Sequence, residues 1–229
     1  MFFYLSYNPY IAIIGDIKNS KKIHNRLEVQ SKLQKILDKI NIKYENHIAS
    51  KLMITLGDEF QGLLKAGENL MEIITEIEGE MYPIKLRFGI GVGEINTEIN
   101  KDIPLGADGP AYYNAREAIE LIRNNENKSK SPNTNIKLVV EGKYNNSTEL
   151  INTIFSLLST IENKWTDRQR EIIYDYISHK DNQSKVAERL NITQSSVQKS
   201  LSKANFYAYE DAINTVSKAL KEIKRREYV

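Results

Sequence analysis

YIAIIGDI, residues 10–17, is a continuous apolar run that ends in Gly-Asp. Such a run suits a strand buried on both faces of a sheet. Its natural partner lies downstream. Residues 47–56 (HIASKLMITL) and 59–65 (EFQGLLK) are two strand-like pieces on either side of Gly57-Asp58. That pattern predicts a tight hairpin with a carboxylate at its tip. Between the first strand and the hairpin, Leu27, Val29, Leu33, Ile36, Leu37 and Ile40 recur at three- and four-residue steps, which predicts a long amphipathic helix from Ile23 to Ile42.

Working outward, a helix is expected over about 67–80 and a β-branched, glycine-dotted strand over 84–95 (IKLRFGIGVGEI). A second helix is expected over about 110–125. NENKSKSPNTN, with Pro132, reads as a surface loop, and IKLVV (136–140) as a last strand. The order β-α-β-β-α-β-α-β is the ferredoxin-like, split βαβ pattern. No strand signal follows residue 141, so an α+β domain over 1–145 and an all-α domain over 146–229 are expected, with the boundary near 141–147 (EGKYNNS).

Composition narrows the chemistry. Apolar residues make up 41% and charged residues 27% of the 229 residues, as in ordinary globular chains. There is no cysteine, which excludes disulfides and thiolate metal sites. The three histidines, His24, His47 and His179, are scattered, which argues against histidine-held zinc. The start, MFFYLSYNPYIAIIG, has no basic flank, and its apolar run is too short to span a bilayer. A cytoplasmic, non-membrane protein is therefore expected. The net charge of +2 does not by itself imply a nucleic-acid partner. Carboxylates are frequent between residues 45 and 120, whereas lysine and arginine are concentrated in the C-terminal part.

In a split βαβ sheet the first strand and the central hairpin are neighbours. Asp16 ends one and Asp58 sits at the tip of the other, so both carboxylates are expected at one sheet edge. Close carboxylates repel each other, and a divalent cation relieves that repulsion. Two such ions would make a phosphoryl-transfer site, with Glu59 as a third carboxylate. A conformational reading competes: Gly-Asp is common in turns because glycine takes positive φ and aspartate caps. Arg87 could be a solvated strand charge. Gly89, Gly91 and Gly93 alternate on one strand face and suit close helix packing. Lys18, Asn19 and Ser20 could meet phosphate at a helix start or simply form a polar cap.

Four segments in order, IAIIGDIKNS, ITLGDEFQGLL, LRFGIGVGEI and GADGPAYYNAREAI, resemble the class III nucleotidyl cyclases and their GGDEF diguanylate cyclase relatives. The resemblance implies that Asp16, the backbone of Ile17, Asp58 and Glu59 hold Mg²⁺ or Mn²⁺. It implies that Arg87, Gly89, Ile90 and Gly93 form the signature of the fourth strand, and that Arg116 stabilises the transition state. The asparagine that steadies the ribose in those families has Tyr112 at its place, with Asn114 two residues away. Lys18, Asn19, Ser20, Arg87 and Asn114 are the nucleotide-contacting candidates. As a whole the chain resembles the SatD family.

Residues 149–162 (ELINTIFSLLSTIE) predict a connecting helix. Thr166 with Gln169 forms a capping-box pattern ahead of Ile172, Ile173, Tyr176 and Ile177. From Gln183 to Leu201 the pattern resembles the helix-turn-helix of sigma-factor region four and LuxR-type regulators. Val186, Ala187 and Leu190 face inward, Asn191 takes the left-handed turn position, Thr193 caps, and Val197 and Leu201 pin the second helix. Gln194, Ser195, Ser196, Gln198, Lys199 and Lys203 then point outward, where a recognition helix meets DNA. A helical hairpin for protein contacts would give the same pattern. Phe206, Tyr209, Ile213, Val216, Leu220 and Ile223 have near-heptad spacing, from core packing or dimerisation, and a homodimer is expected. The basic tail at Lys224, Arg225 and Arg226 suits either phosphate contact or a solvated end.

Three functions follow. The first is a DNA-binding regulator with a nucleotide- and magnesium-binding cyclase-like sensor domain. The second is an active nucleotidyl cyclase or nucleotidyltransferase using a nucleoside triphosphate and two metal ions. The third is a metal-free interaction module that has kept the fold.

Overall fold

The computed structural model describes residues 3, 5–126, 134–142, 146–179 and 182–224. The expected loop around Pro132, the link at 143–145 and the basic tail at Arg225 and Arg226 lie outside them.

Five strands form one sheet in the order β2-β3-β1-β4-β5. They are β1 (Tyr10–Ile17), β2 (Ile48–Leu56), β3 (Glu59–Leu64), β4 (Leu86–Gly93) and β5 (Ile136–Val140). β1 is antiparallel to both β3 and β4, and β2 is antiparallel to β3. This is the split βαβ arrangement. β5 is added parallel to β4. Position explains the unbroken apolar run of β1: it is central, and from Ile11 to Ile17 every residue is buried.

Helices α1 (Arg26–Lys43) and α2 (Leu70–Met81) cover one face of the sheet over Ile11, Ile13, Phe60, Phe88 and Ile90. Helix α3 (Pro110–Glu126) covers the other face over Ala12, Ile14 and Leu63. It lies very close to β4 because that strand presents Gly89, Gly91 and Gly93 to it. A Cβ at Gly91 would stand 2.0 Å from the Ala111 carbonyl oxygen. The glycine stripe is therefore a packing device.

On each edge strand one residue's backbone is capped by an asparagine amide. Asn41 of α1 exchanges two 2.8 Å hydrogen bonds with the backbone of Leu52 in β2. Asn152 does the same to Leu138 of β5, at 2.8 Å each way. The backbone groups of Leu52 and Leu138 are thus already paired and cannot join another strand.

Five helices follow: α4 (Asn146–Glu162), α5 (Asp167–His179), α6 (Gln183–Arg189), α7 (Gln194–Lys203) and α8 (Phe206–Leu220). They share one apolar core with the α1/α2 face of the sheet, including Ile74, Phe155, Phe206 and Leu220. Just past α8, Ile223 O accepts from Gly67 N at 2.8 Å, so the chain after the helix is tied to the loop before α2. Among the described residues no helix is long and apolar enough to cross a membrane.

Candidate functional site

The site lies at the β1–β3–β4 end of the sheet, on the α3 face. Asp16 is 2% exposed and stands between Glu59 on β3 and Arg87 on β4 in the strand registers. Side chains alternate across strands, so these three share one face with the glycine stripe. Glu59, not Asp58, is the carboxylate that joins Asp16.

Asp16 is held by two guanidinium groups. Arg87 Nη1 donates to its Oδ2 at 2.5 Å, and Arg123 Nη2 lies 2.8 Å from its Oδ1. Arg123 Nε also donates to Oδ2 at 3.3 Å. Arg87 turns its remaining edge to Glu126, with Nε at 3.0 Å and Nη2 at 2.5 Å from Oε2. Lys18 Nζ stands 2.5 Å from the other oxygen of Glu126. Arg116 Nη1 donates to Glu59 Oε2 at 2.5 Å, while Glu59 Oε1 is buried with no hydrogen-bond partner. Four cations, Lys18, Arg87, Arg116 and Arg123, thus surround three carboxylates, Asp16, Glu59 and Glu126.

The titration of these groups follows their surroundings. Burial raises the Glu126 carboxyl, but Arg87 and Lys18 outweigh it and hold the group below its ordinary value. Burial lowers the Lys18 ammonium, with Glu126 only partly offsetting it.

The remaining expected residues fall elsewhere. Asp58 accepts from Ser20 Oγ, and its carbonyl oxygen accepts from Ile17 N at 3.0 Å. Asn19 takes a left-handed φ of 53° ahead of the short turn Ser20–Lys22. Asn114 is at the wrong end of α3. Its Nδ2 donates to Val92 O at 2.8 Å, nine residues before Arg123, a rise of about 13 Å along a helix. Tyr112, at the place of the families' asparagine, is buried, and its hydroxyl has no hydrogen-bond partner.

In this structure the carboxylates expected to hold the metal are engaged by protein groups. Both oxygens of Asp16 already accept from arginines, and Asp58 is bonded to Ser20 rather than joined to Asp16. Among the described residues no group of three His, Asp or Glu could hold a metal ion. A cluster carrying an excess of positive charge suits an anion.

Sequence reasoning missed Arg123 and Glu126. Their signal was periodic: Arg123 follows Arg116 by seven residues, and Glu126 follows Arg123 by three. Those steps keep all three on the side of α3 that carries Ala111, Ala115 and Ile119 onto the glycine stripe.

The chain matches the model of the SatD family over residues 10–219. It belongs to that family. No curated protein matches it. Among solved structures it is similar to a bacterial light-regulated adenylyl cyclase at 14% identity and a TM-score of 0.41, covering 69% of this chain and 81% of that one. It is also similar to the catalytic core of a rhodopsin-guanylyl cyclase with converted specificity, in complex with ATPαS. There the identity is 14% and the TM-score 0.31, with 48% of this chain and 71% of that one covered. In this SatD chain the helices expected to form a helix-turn-helix are α6 and α7. Asn191 has φ 50° in the turn between them, and Thr193 Oγ1 accepts from Ser196 N at 3.1 Å. Val197 and Leu201 are fully buried, while Gln194, Ser195, Ser196, Gln198, Lys199 and Lys203 are exposed.

Proposed function

We propose that this SatD-family chain binds a nucleoside triphosphate, or a related nucleotide, at the arginine–carboxylate cluster, and that phosphoryl or nucleotidyl transfer is the chemistry that this edge of the sheet serves. One observation carries the reading. Arg116 and Arg123 sit two turns apart on one face of α3, 40% and 45% exposed, above Asp16 and Glu59, which are almost fully buried. Guanidinium groups in that position can turn from carboxylate to phosphate oxygens, because both are planar-fork partners of arginine. Fixed positive charge at a phosphate is also what stabilises charge developing in transfer. The ordered resemblance of four sequence segments to nucleotidyl cyclases supports a nucleotide over other polyanions.

The test is a titration of ATP and GTP by calorimetry, with and without Mg²⁺ or Mn²⁺, followed by chromatography of the incubated nucleotide. Saturable binding that falls at least tenfold in Arg116→Ala/Arg123→Ala supports the site. Unchanged binding in that variant sinks it. A nucleotide product formed by the parent chain and lost in Asp16→Asn separates an enzyme from a binding domain.

A second reading, that α7 binds DNA in a regulator, is favoured by the surface of that helix. QSSVQKSLSK carries two lysines and no acidic residue, and its outward face is polar throughout. Tyr207 Oη accepts from Gln183 Nε2 at 2.9 Å and donates to Gln198 Oε1 at 3.3 Å, which orders two amides beside the exposed lysines. Amides and lysines are base-edge and phosphate ligands, respectively.

A further inference from the structure

A second concave site lies away from the arginine cluster. It opens between α1 and α2 on one side and α5 and α8 on the other, and encloses about 660 Å³. That is within the range of about 300–1,000 Å³ typical of small-molecule sites. Its walls are aromatic. Tyr44, Phe206 and Tyr209 are buried along it, and Tyr176 meets Phe206 edge to face at 5.4 Å.

Its charge is acidic. Glu72, Glu76, Glu80 and Glu210 line it against Lys39 and Lys43. The two lysines are spent on the middle pair: Lys43 Nζ lies 2.6 Å from Glu76, and Lys39 bonds Glu80 and lies 3.3 Å from Glu76. Glu210 comes from the opposite wall, on α8. Among the described residues its side chain makes no hydrogen bond or ion pair. Burial and the neighbouring Asp211 push its carboxyl above the ordinary value, as expected of a group in a partly dry wall without a counter-ion.

The groove also shows how it would hold a cation. Lys43 Nζ stands 5.0 Å from the centre of the Tyr44 ring, an ammonium over an aromatic face inside the site. A nucleotide phosphate would meet an excess of two negative charges here, so this site is distinct from the one proposed above and does not depend on it.

We propose that this groove binds an organic ammonium ion with an apolar body. The charge pairs with Glu210, and the hydrocarbon or aromatic part lies against Tyr176 and Ile213, which line the groove and are only partly buried. The groove exists only where α1 and α2 meet α5 and α8, so the ligand binds only where the sheet half and the C-terminal helices are docked, and it raises the melting temperature of that arrangement.

The experiment uses the full chain and two probes at equal ionic strength: benzyltrimethylammonium chloride and neutral benzyl alcohol. Calorimetry should give saturable one-to-one binding of the cation, at least tenfold tighter than the alcohol. Glu210→Gln should weaken cation binding at least fivefold with an unchanged far-ultraviolet circular dichroism spectrum. Asn214→Arg, at an exposed position on the rim, should abolish it by placing a guanidinium in the groove. No saturable heat with the cation, equal affinity for cation and alcohol, or undiminished binding in Glu210→Gln would each overturn the proposal.

Discussion

Asp16 and Arg87 face each other across the β1–β4 ladder, and Arg87 Nη1 donates to Asp16 Oδ2 at 2.5 Å. The pair is nearly dry, with side-chain exposures of 3% and 12%. Removing one partner of such a pair leaves a buried charge, which costs more than the pair contributes. Arg87→Met should therefore destabilise the chain by about 3 kcal/mol in urea unfolding, with Arg123 still supporting Asp16. The double variant Asp16→Asn/Arg87→Met should recover at least half of that loss. A double variant no better than Arg87→Met would show that the pairing is not what holds this edge.

The closeness of α3 to β4 gives a second expectation. A methyl at Gly91 would lie 2.0 Å from Ala111 O and 2.2 Å from Ala115 N, both backbone atoms that cannot rotate away. Gly91→Ala should cost about 3 kcal/mol through overpacking. Because α3 also carries Arg116 and Arg123, the same change should weaken nucleotide binding. Full nucleotide affinity in a destabilised Gly91→Ala chain would separate the two effects and refute the coupling.

A third expectation concerns pH. Glu78 of α2 and Glu162 of α4 line a narrow crevice with Arg170 and Tyr174 of α5. Burial raises both carboxyls above 4.5, with Glu162 adding to the rise at Glu78, while Tyr209 Oη donates to Glu162 Oε1 at 2.6 Å and opposes it there. The folded chain therefore holds these protons more tightly than the unfolded chain. The stability they add is complete below about pH 4.5 and is lost as pH rises through the raised folded values. Glu78→Gln should then raise the melting temperature at pH 7.5 by about 2–4 °C, as ~1 kcal/mol does in a chain of this size. The gain should shrink at pH 5. An equal gain at both pH values would contradict the assignment.

The α7 surface gives a fourth. If its lysines meet phosphate, Lys199→Ala should weaken binding to any duplex that the parent chain binds and should lower the slope of log K against log salt by about one. Footprinting on the chain's own promoter, followed by salt titration, measures both. Binding unaffected by Lys199→Ala would place the contact on another element.

Much of this architecture is legible in local pattern. An apolar run that meets no charged residue before Asp16 has few homes other than a central strand, and β1 is central. Thr193 and Asn191 announce a cap and a left-handed turn through side-chain chemistry that acts within a few residues, and both occur there. Periodicity misleads where it lacks a neighbour. Leu27 is counted into the apolar stripe of α1 by its spacing yet is 83% exposed, because it stands nine residues before Ile36, two and a half turns, and so faces away from the buried side.

The sequence alone determined the strand and helix order, the glycine stripe of β4 and the candidate carboxylates at strand ends, since each depends on residue type and short-range spacing. Tertiary structure alone decided which groups meet. Register put Glu59 rather than Asp58 beside Asp16, and the path of α3 over the glycines brought Arg123 to Asp16, 107 residues away in the chain. Ion pairing depends on distances of a few ångströms between residues far apart in sequence. No local pattern records such distances, so Asp16 and Glu59, which read as metal ligands in the sequence, are paired with arginines in the fold, while Asp58 accepts from Ser20.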